Sequence, residues 1–340
     1  MFKPLLLAAA ALTLGGLLLF VFNQPDMITA ERSGSPIATD LETSLLVRIE
    51  ISGADRDLAL VLNEGGWADD KSKYPAQVEA ISQLLLTLTT TMVGDRVTDN
   101  PERHGRFQVL APPKTLDERD SEKHADSLRL LDASGTPLLA LLAGKNRDQG
   151  QGQYIRYADS EEVYLVPERL SLSGAPADWL ETELLNLEES LFREIRITKS
   201  SGEFLRFHRA DAKADWLLEG AERPLKQSKV SSALHRIKSL SFEQLLGAND
   251  PDGQSSLSQV TRVEASLADQ RKLVIELGET EIPDGGHAFR LSLTLGGGDN
   301  AMLQNYVRKL QERVNGRVFS MRTWQARDLL NKRSDFYESE

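Results

Sequence analysis

The chain has 340 residues, of which 51 are acidic and 40 basic, giving a formal charge of −11, and it contains no cysteine. That balance argues against a nucleic-acid partner, which calls for a basic stripe, and no such stripe occurs in the sequence. A chain without cysteine has no disulfide framework and no thiolate to hold a structural zinc, and an exported domain of this size can bury enough surface without either.

Lys3 is followed by an unbroken apolar and small-residue run, Leu5 to Phe22, with Gly15 and Gly16 in its middle. As a helix the run is about 27 Å long, enough to cross the hydrocarbon of a bilayer. It reads as a retained anchor. The alternative is a cleaved signal peptide, which finds a poor processing site: the nearest small residue is Ala30, with Ile28 three positions before the cut. Lys3 is the only charge ahead of the run, while Asp26, Glu31 and Arg32 follow it, which favours a cytoplasmic amino terminus. The expected location is therefore a bacterial inner membrane, crossed once, with the carboxy-terminal bulk in the periplasm and the lipid bilayer a partner through residues 5–22. The organisation expected is an anchor over 1–24, a polar linker over 25–40, a first lobe over 41–188 and a second over 189–340.

Beyond the linker a pattern occurs twice. Leu46 to Ile51 and Leu58 to Leu62 alternate with period two around a turn and reach Gly66-Trp67. Phe192 to Ile197 and Phe204 to Phe207 do the same and reach Asp215-Trp216. Each is an antiparallel hairpin ending at a tryptophan that covers the sheet. A helix follows in each copy. Val78, Ile81, Leu84, Leu85 and Leu88 form the stripe of the first, with Pro75 in its first turn; Val230, Leu234, Ile237 and Leu240 form that of the second, with Ser228 or Ser231 as cap. Strands are then expected at Asp126–Leu131, Leu138–Leu142, Gln153–Tyr157 and Glu162–Val166. Their counterparts are Gln259–Leu267, Lys272–Leu277, Ala288–Leu295 and Arg317–Arg322. Each copy closes on a short helix, Pro176–Leu187 and Thr323–Leu330. The fold class is α+β: one amino-terminal transmembrane helix, then two tandem, duplicated lobes of antiparallel sheet with packed helices.

The second lobe has an insertion, a helix capped by Asp299 or Asn300 with a stripe of Leu303, Tyr306, Val307, Leu310 and Val314. The junction near Glu188 to Ser190 has neither proline nor glycine, which predicts lobes in contact and a composite surface. Asn100 to Ala125, with Arg103, Glu118, Arg119, Glu122 and Lys123 alternating in sign, reads as a solvated excursion.

Chemistry is scarce. His104, His124, His208, His235 and His287 make no His-x-x-x-His or His-Glu-x-x-His pair, so no metal site is assigned. Gly144-Lys145-Asn146 lacks the upstream glycine and the hydroxyl of a phosphate loop. The glycines of Gly296 to Asp299 serve a helix cap more simply than an anion. No Gly-x-Ser-x-Gly occurs, and Asp69-Asp70, Glu181 with Glu183, and Glu188-Glu189 are carboxylate pairs with nothing to single one out. No catalytic residue and no cofactor is assigned.

The order of several short signatures resembles the DUF4340 domain family: the hairpin Val47 to Leu62, Gly66-Trp67, Tyr74-Pro75-Ala76 before the helix, Asn100-Pro101, Gly144-Lys145, Tyr154-Ile155-Arg156 and Val163-Tyr164-Leu165. The resemblance implies a bacterial envelope protein of the kind linked with ABC-type export systems, some relatives of which resemble a gliding-motility auxiliary component. This sequence, with one expected amino-terminal span, departs from the form that carries a large auxiliary domain, so the expectation is a non-enzymatic accessory protein that contacts an ABC-type transporter or another envelope membrane protein. The alternative is a periplasmic glycan- or lipid-binding protein or hydrolase using an inter-lobe cleft, with Trp179 and Trp324 as exposed aromatics.

Overall fold

The computed structural model describes residues 32–54, 57–172, 175–283, 285–296 and 300–338. The expected anchor, 5–22, lies outside the described residues. Among those described, no helix is long and apolar enough to cross a membrane.

The first lobe opens with strands β1 (Arg48–Ser52), β2 (Asp57–Asn63) and β3 (Gly66–Asp69), and helix α1 (Val78–Thr90) follows. Strands β4 (Arg96–Thr98), β5 (Asp126–Leu131), β6 (Pro137–Asn146), β7 (Gln153–Tyr157) and β8 (Val163–Val166) complete it. The hairpins form where alternation placed them, because Ile49, Ile51, Leu58, Leu60, Leu128 and Leu130 all point to one buried face. α1 begins later than expected. Pro75 precedes it in a bridge with Ala68, and Gln77 is its N-cap. Ile81, Leu84 and Leu88 bury the helix on the sheet.

A short strand, β9 (Glu183–Asn186), connects to the second lobe. There β10 (Phe192–Thr198), β11 (Phe204–His208), β12 (Leu217–Leu218) and α2 (Gln227–Lys238) repeat the opening. β13 (Ser239–Ser241), β14 (Gln244–Leu246), the short helix α3 (Pro251–Ser256), β15 (Val260–Leu267), β16 (Arg271–Glu281) and β17 (His287–Leu295) follow, then helix α4 (Ala301–Val314), β18 (Val318–Met321) and helix α5 (Thr323–Leu330). Ser228 and Ser231 lie inside α2 and do not cap it, since Lys226 is the N-cap. Asn300 caps α4 by accepting the Leu303 amide at 3.1 Å; Asp299 lies outside the described residues.

The two sheets have eight strands each, wholly antiparallel, in the orders β3-β2-β1-β5-β6-β7-β8-β4 and β12-β11-β10-β15-β16-β17-β18-β14. Substituting each strand by its counterpart converts one order into the other. Smaller features repeat as well. Asn100-Pro101 and Asp250-Pro251 follow the far edge strands, and each acidic or amide side chain accepts an amide of the next turn, from Glu102 at 3.0 Å and Gly253 at 2.8 Å. The turns they start press against Gly144 on β6 and Gly278 on β16, where an added Cβ would collide with the Phe107 carbonyl and with Ser256. The carbonyls of the same two glycines accept hydrogen bonds from the first residues of the next strands, Gln153 Nε2 at 2.9 Å and His287 Nδ1 at 2.8 Å.

Two expectations need correction. Pro176–Leu187 is not a helix but a single 3-10 turn, Pro176–Asp178, followed by β9. β9 pairs with β13 of the second lobe, and Leu184, Leu185 and Leu187 enter the second lobe's core, so tertiary pairing overrides any local helical tendency. The stretch 25–40 is also not wholly a linker. Gly34, Ile37 and Ala38 donate backbone hydrogen bonds to Val93, Thr91 and Leu88, and the Tyr157 hydroxyl donates to the Ile37 carbonyl at 2.7 Å, strapping residues 33–38 to the first lobe.

Candidate functional site

The lobes touch through a first-lobe loop. Tyr74 is fully buried in the core of the second lobe, edge-on to Phe242 and Phe319 at centroid distances of 5.4 and 6.1 Å. Arg313 and Arg317, at the end of α4 and in the turn after it, stand over its ring, and Arg313 Nη2 also donates to the Glu181 and Glu183 carbonyls at 3.2 and 2.7 Å. Arg317 Nη1 donates to the Ser72 carbonyl at 2.8 Å. The insertion helix thus clamps the first lobe through its last turn and exit.

Beside this joint lies the composite surface the short junction predicted, a groove of about 1000 Å³ between Arg48, Asp57, Asp70 and Lys71 on one side and Leu245, Ala248 and Arg317 on the other. Three of its carboxylates are ion-paired. Asp70 accepts from Lys73 and Arg48, both at 2.8 Å, which hold its carboxyl below the usual carboxylate range. Glu50 accepts from Arg48 at 2.7 Å and Arg129 at 2.9 Å. Asp57 is held low chiefly by its hydrogen bonds from Arg119, at 2.8 and 3.1 Å. A glycosidase acid must instead be kept protonated. Asp57 and Asp70 are shifted the other way, and both are already engaged by basic side chains.

Arg119 overturns the reading of Asn100 to Ala125 as a merely solvated excursion. Its side chain is 3% exposed and also donates to the Pro113 and Gly53 carbonyls at 2.8 and 2.7 Å, tying the excursion to the β1–β2 turn. Alternating charges in sequence gave no sign of this, because carbonyl acceptors are invisible there.

A second groove, of about 1090 Å³, belongs to the first lobe alone and runs between α1, at Gln83 and Thr87, and Gly144-Lys145-Asn146, Arg169 and Ser171. In the second lobe α5 packs beside α2, with Arg236 bonded to Asp328 at 2.8 Å and stacked on Trp324. Among the described residues, the first lobe has no such helix after β8. Gly144-Lys145-Asn146 therefore forms one wall of a groove at the end of β6, with Lys145 paired to Asp148 at 2.9 Å.

Of the two tryptophans expected to be exposed, Trp324 is and Trp179 is not. Trp179 is 4% exposed and belongs to the first core, whereas Trp324 is 51% exposed. Of the carboxylate pairs, Asp69 accepts the Ser72 amide and hydroxyl, Glu181 pairs with Arg313 at 3.5 Å, and Glu189 lies 3.9 Å from Arg209. His104 donates from Nε2 to the Glu161 carbonyl at 2.9 Å, and His124 accepts the Asp120 amide at 2.8 Å. Among the described residues no group of three or more histidines or acids is placed to hold a metal ion.

A protein-family model described as "Domain of unknown function (DUF4340)" matches residues 67–261, more than half of the chain. No curated protein matches, and no solved structure matches.

Proposed function

Taking as premise that this chain belongs to the DUF4340 family, we propose that it is a non-enzymatic accessory protein, anchored in a bacterial inner membrane by residues 5–22. Its two lobes act in the periplasm by contacting an ABC-type transporter or another envelope membrane protein. The observation that carries this reading is the strap formed by residues 33–38. With that segment fixed to the first lobe, ten Cα steps separate Phe22 from Arg32, about 35 Å at full stretch. The ectodomain is then held within contact range of its membrane neighbours. The clamped joint at Tyr74 supports the same reading, since it presents both lobes to a partner as one surface.

Purification of the full-length protein in mild detergent, followed by identification of what accompanies it, tests the proposal. The expected outcome is stoichiometric recovery of an envelope membrane protein. Recovery of this chain alone, under conditions that keep other envelope complexes intact, counts against it. The groove between the lobes favours a second reading, a glycan or lipid ligand held by Arg48, Lys71 and Arg317. That reading predicts saturable ligand binding that is lost in Arg317→Ala.

A further inference from the structure

The two counterpart helices bury similar faces and expose different ones. α2 carries Lys229, His235, Arg236 and Lys238. Between Glu79 and Asp95, the stretch that contains nearly all of α1 and its exit, there is no charged residue. Leu86 is 54% exposed and Met92 46%. Around them the threonines turn inward: Thr87 Oγ1 donates to the Gln83 carbonyl at 2.9 Å, Thr89 Oγ1 to Leu85 at 2.8 Å and Thr90 Oγ1 to Leu86 at 2.7 Å. A hydroxyl spent on its own helix leaves its methyl to the surroundings, so this surface is more apolar than its composition. The other exposed residues of this stretch, Ser82, Gln83 and Thr90, are uncharged, so the face is neutral on a chain that is 27% charged, and Leu86 and Met92 are the apolar side chains that a cover would bury.

The course of the chain says what that cover is. The first described residues run along the exit of α1: Ser33 Oγ donates to the Gly94 carbonyl at 2.9 Å, Gly34 N to Val93 at 2.8 Å and Ile37 N to Thr91 at 2.9 Å. The apolar run 5–22 ends ten Cα steps before Arg32, within about 35 Å. Resting on the anchor reading above, we infer that the outer face of α1 and its exit lies on the lipid surface, with Leu86 of the helix and Met92 of the exit entering the boundary between headgroups and acyl chains. The first lobe is thereby the membrane-facing one. Two side chains bind a bilayer weakly on their own, but a short tether raises the effective concentration to the millimolar range, so a weak contact is occupied. Because the face is neutral, the contact is independent of salt and of anionic lipid.

The lack of cysteine makes the test direct. Single-cysteine variants of the full chain, Leu12→Cys, Leu86→Cys, Met92→Cys and Ser231→Cys on α2, are labelled with an environment-sensitive fluorophore. They are reconstituted into phosphatidylcholine vesicles containing a nitroxide-bearing lipid. Quenching at positions 86 and 92 is expected to exceed that at 231 by at least about threefold and to persist in high salt. Quenching at 12 with none above the 231 level at 86 and 92 overturns the contact and leaves the anchor standing. No quenching at 12 removes the anchor, and the contact with it. In native membranes, shielding of position 86 from aqueous iodide without nitroxide quenching assigns the face to a protein neighbour and overturns the lipid contact.

Discussion

Arg119 shows how much a single buried side chain can organise. It donates to three carbonyls, those of Pro113, Gly53 and Lys114, and to Asp57, so replacing it with methionine removes the donor to each of them. Asp57 is about half exposed, which screens its share, and Arg119→Met is expected to cost about 2 kcal/mol in urea unfolding at neutral pH. The pH dependence carries a sign. Asp57 has a depressed folded value, so its contribution is present above the ordinary carboxylate pKa of about 4 and is lost as pH falls through the lower folded value. Arg119→Met should remove that part of the acid destabilisation and return the Asp57 carboxyl to the ordinary range, readable by NMR titration. The paired glycines make a second residue-scale prediction. Gly144→Ala and Gly278→Ala each drive a methyl into the turn after the far edge strand, at a cost of about 1–3 kcal/mol, measurable as a lowered unfolding midpoint. If either substitution is neutral, the close approach at that glycine is not a constraint on the fold. Charges at counterpart positions show a different economy. Arg48 and Glu50 correspond to Glu194 and Arg196, and their neighbours on the next strand, Arg129 and Glu264, are reversed as well. Opposite charges stay in register across the strands with their signs exchanged, because cross-strand stabilisation depends on opposite charge and not on which strand carries which.

Among the elements, the Tyr74 loop and α4 decide how the lobes are joined. Tyr74→Ala opens a cavity in the second lobe's core and frees Arg313 and Arg317. The expected loss is about 3–5 kcal/mol, with the single unfolding transition separating into two in calorimetry. One sharp transition at an unchanged midpoint would mean that the joint contributes nothing to coupling. The helices other than α3 and the long strands of both lobes were legible from periodicity: stripes such as Ile81, Leu84 and Leu88, or alternation such as that of β10, repeat often enough to identify a period. β4 and β14 were not, since three residues cannot show a period and each is a strand only because β8 or β18 supplies its ladder. The segment 176–187 was misread for a related reason. Its apolar residues serve two cores, Trp179 the first and Leu184, Leu185 and Leu187 the second, and a run divided between two cores mimics a helical stripe.

At the scale of the molecule, two copies of one topology have diverged in what surrounds them. The second lobe covers its sheet with α4 and sets α5 beside α2; the first leaves a groove in the place of α5 and carries a neutral helix face next to the start of the described chain. The sequence by itself determined the α+β class, the repetition and most of its strands, because each follows from local alternation and helical spacing. Its short signatures also determined the family. It gave no view of the clamp on Tyr74, the hidden guanidinium of Arg119 or the ion pairs that fill the inter-lobe groove. Those contacts join residues tens to hundreds of positions apart, and only the folded arrangement brings a carbonyl or an aromatic ring within reach of the arginine that binds it.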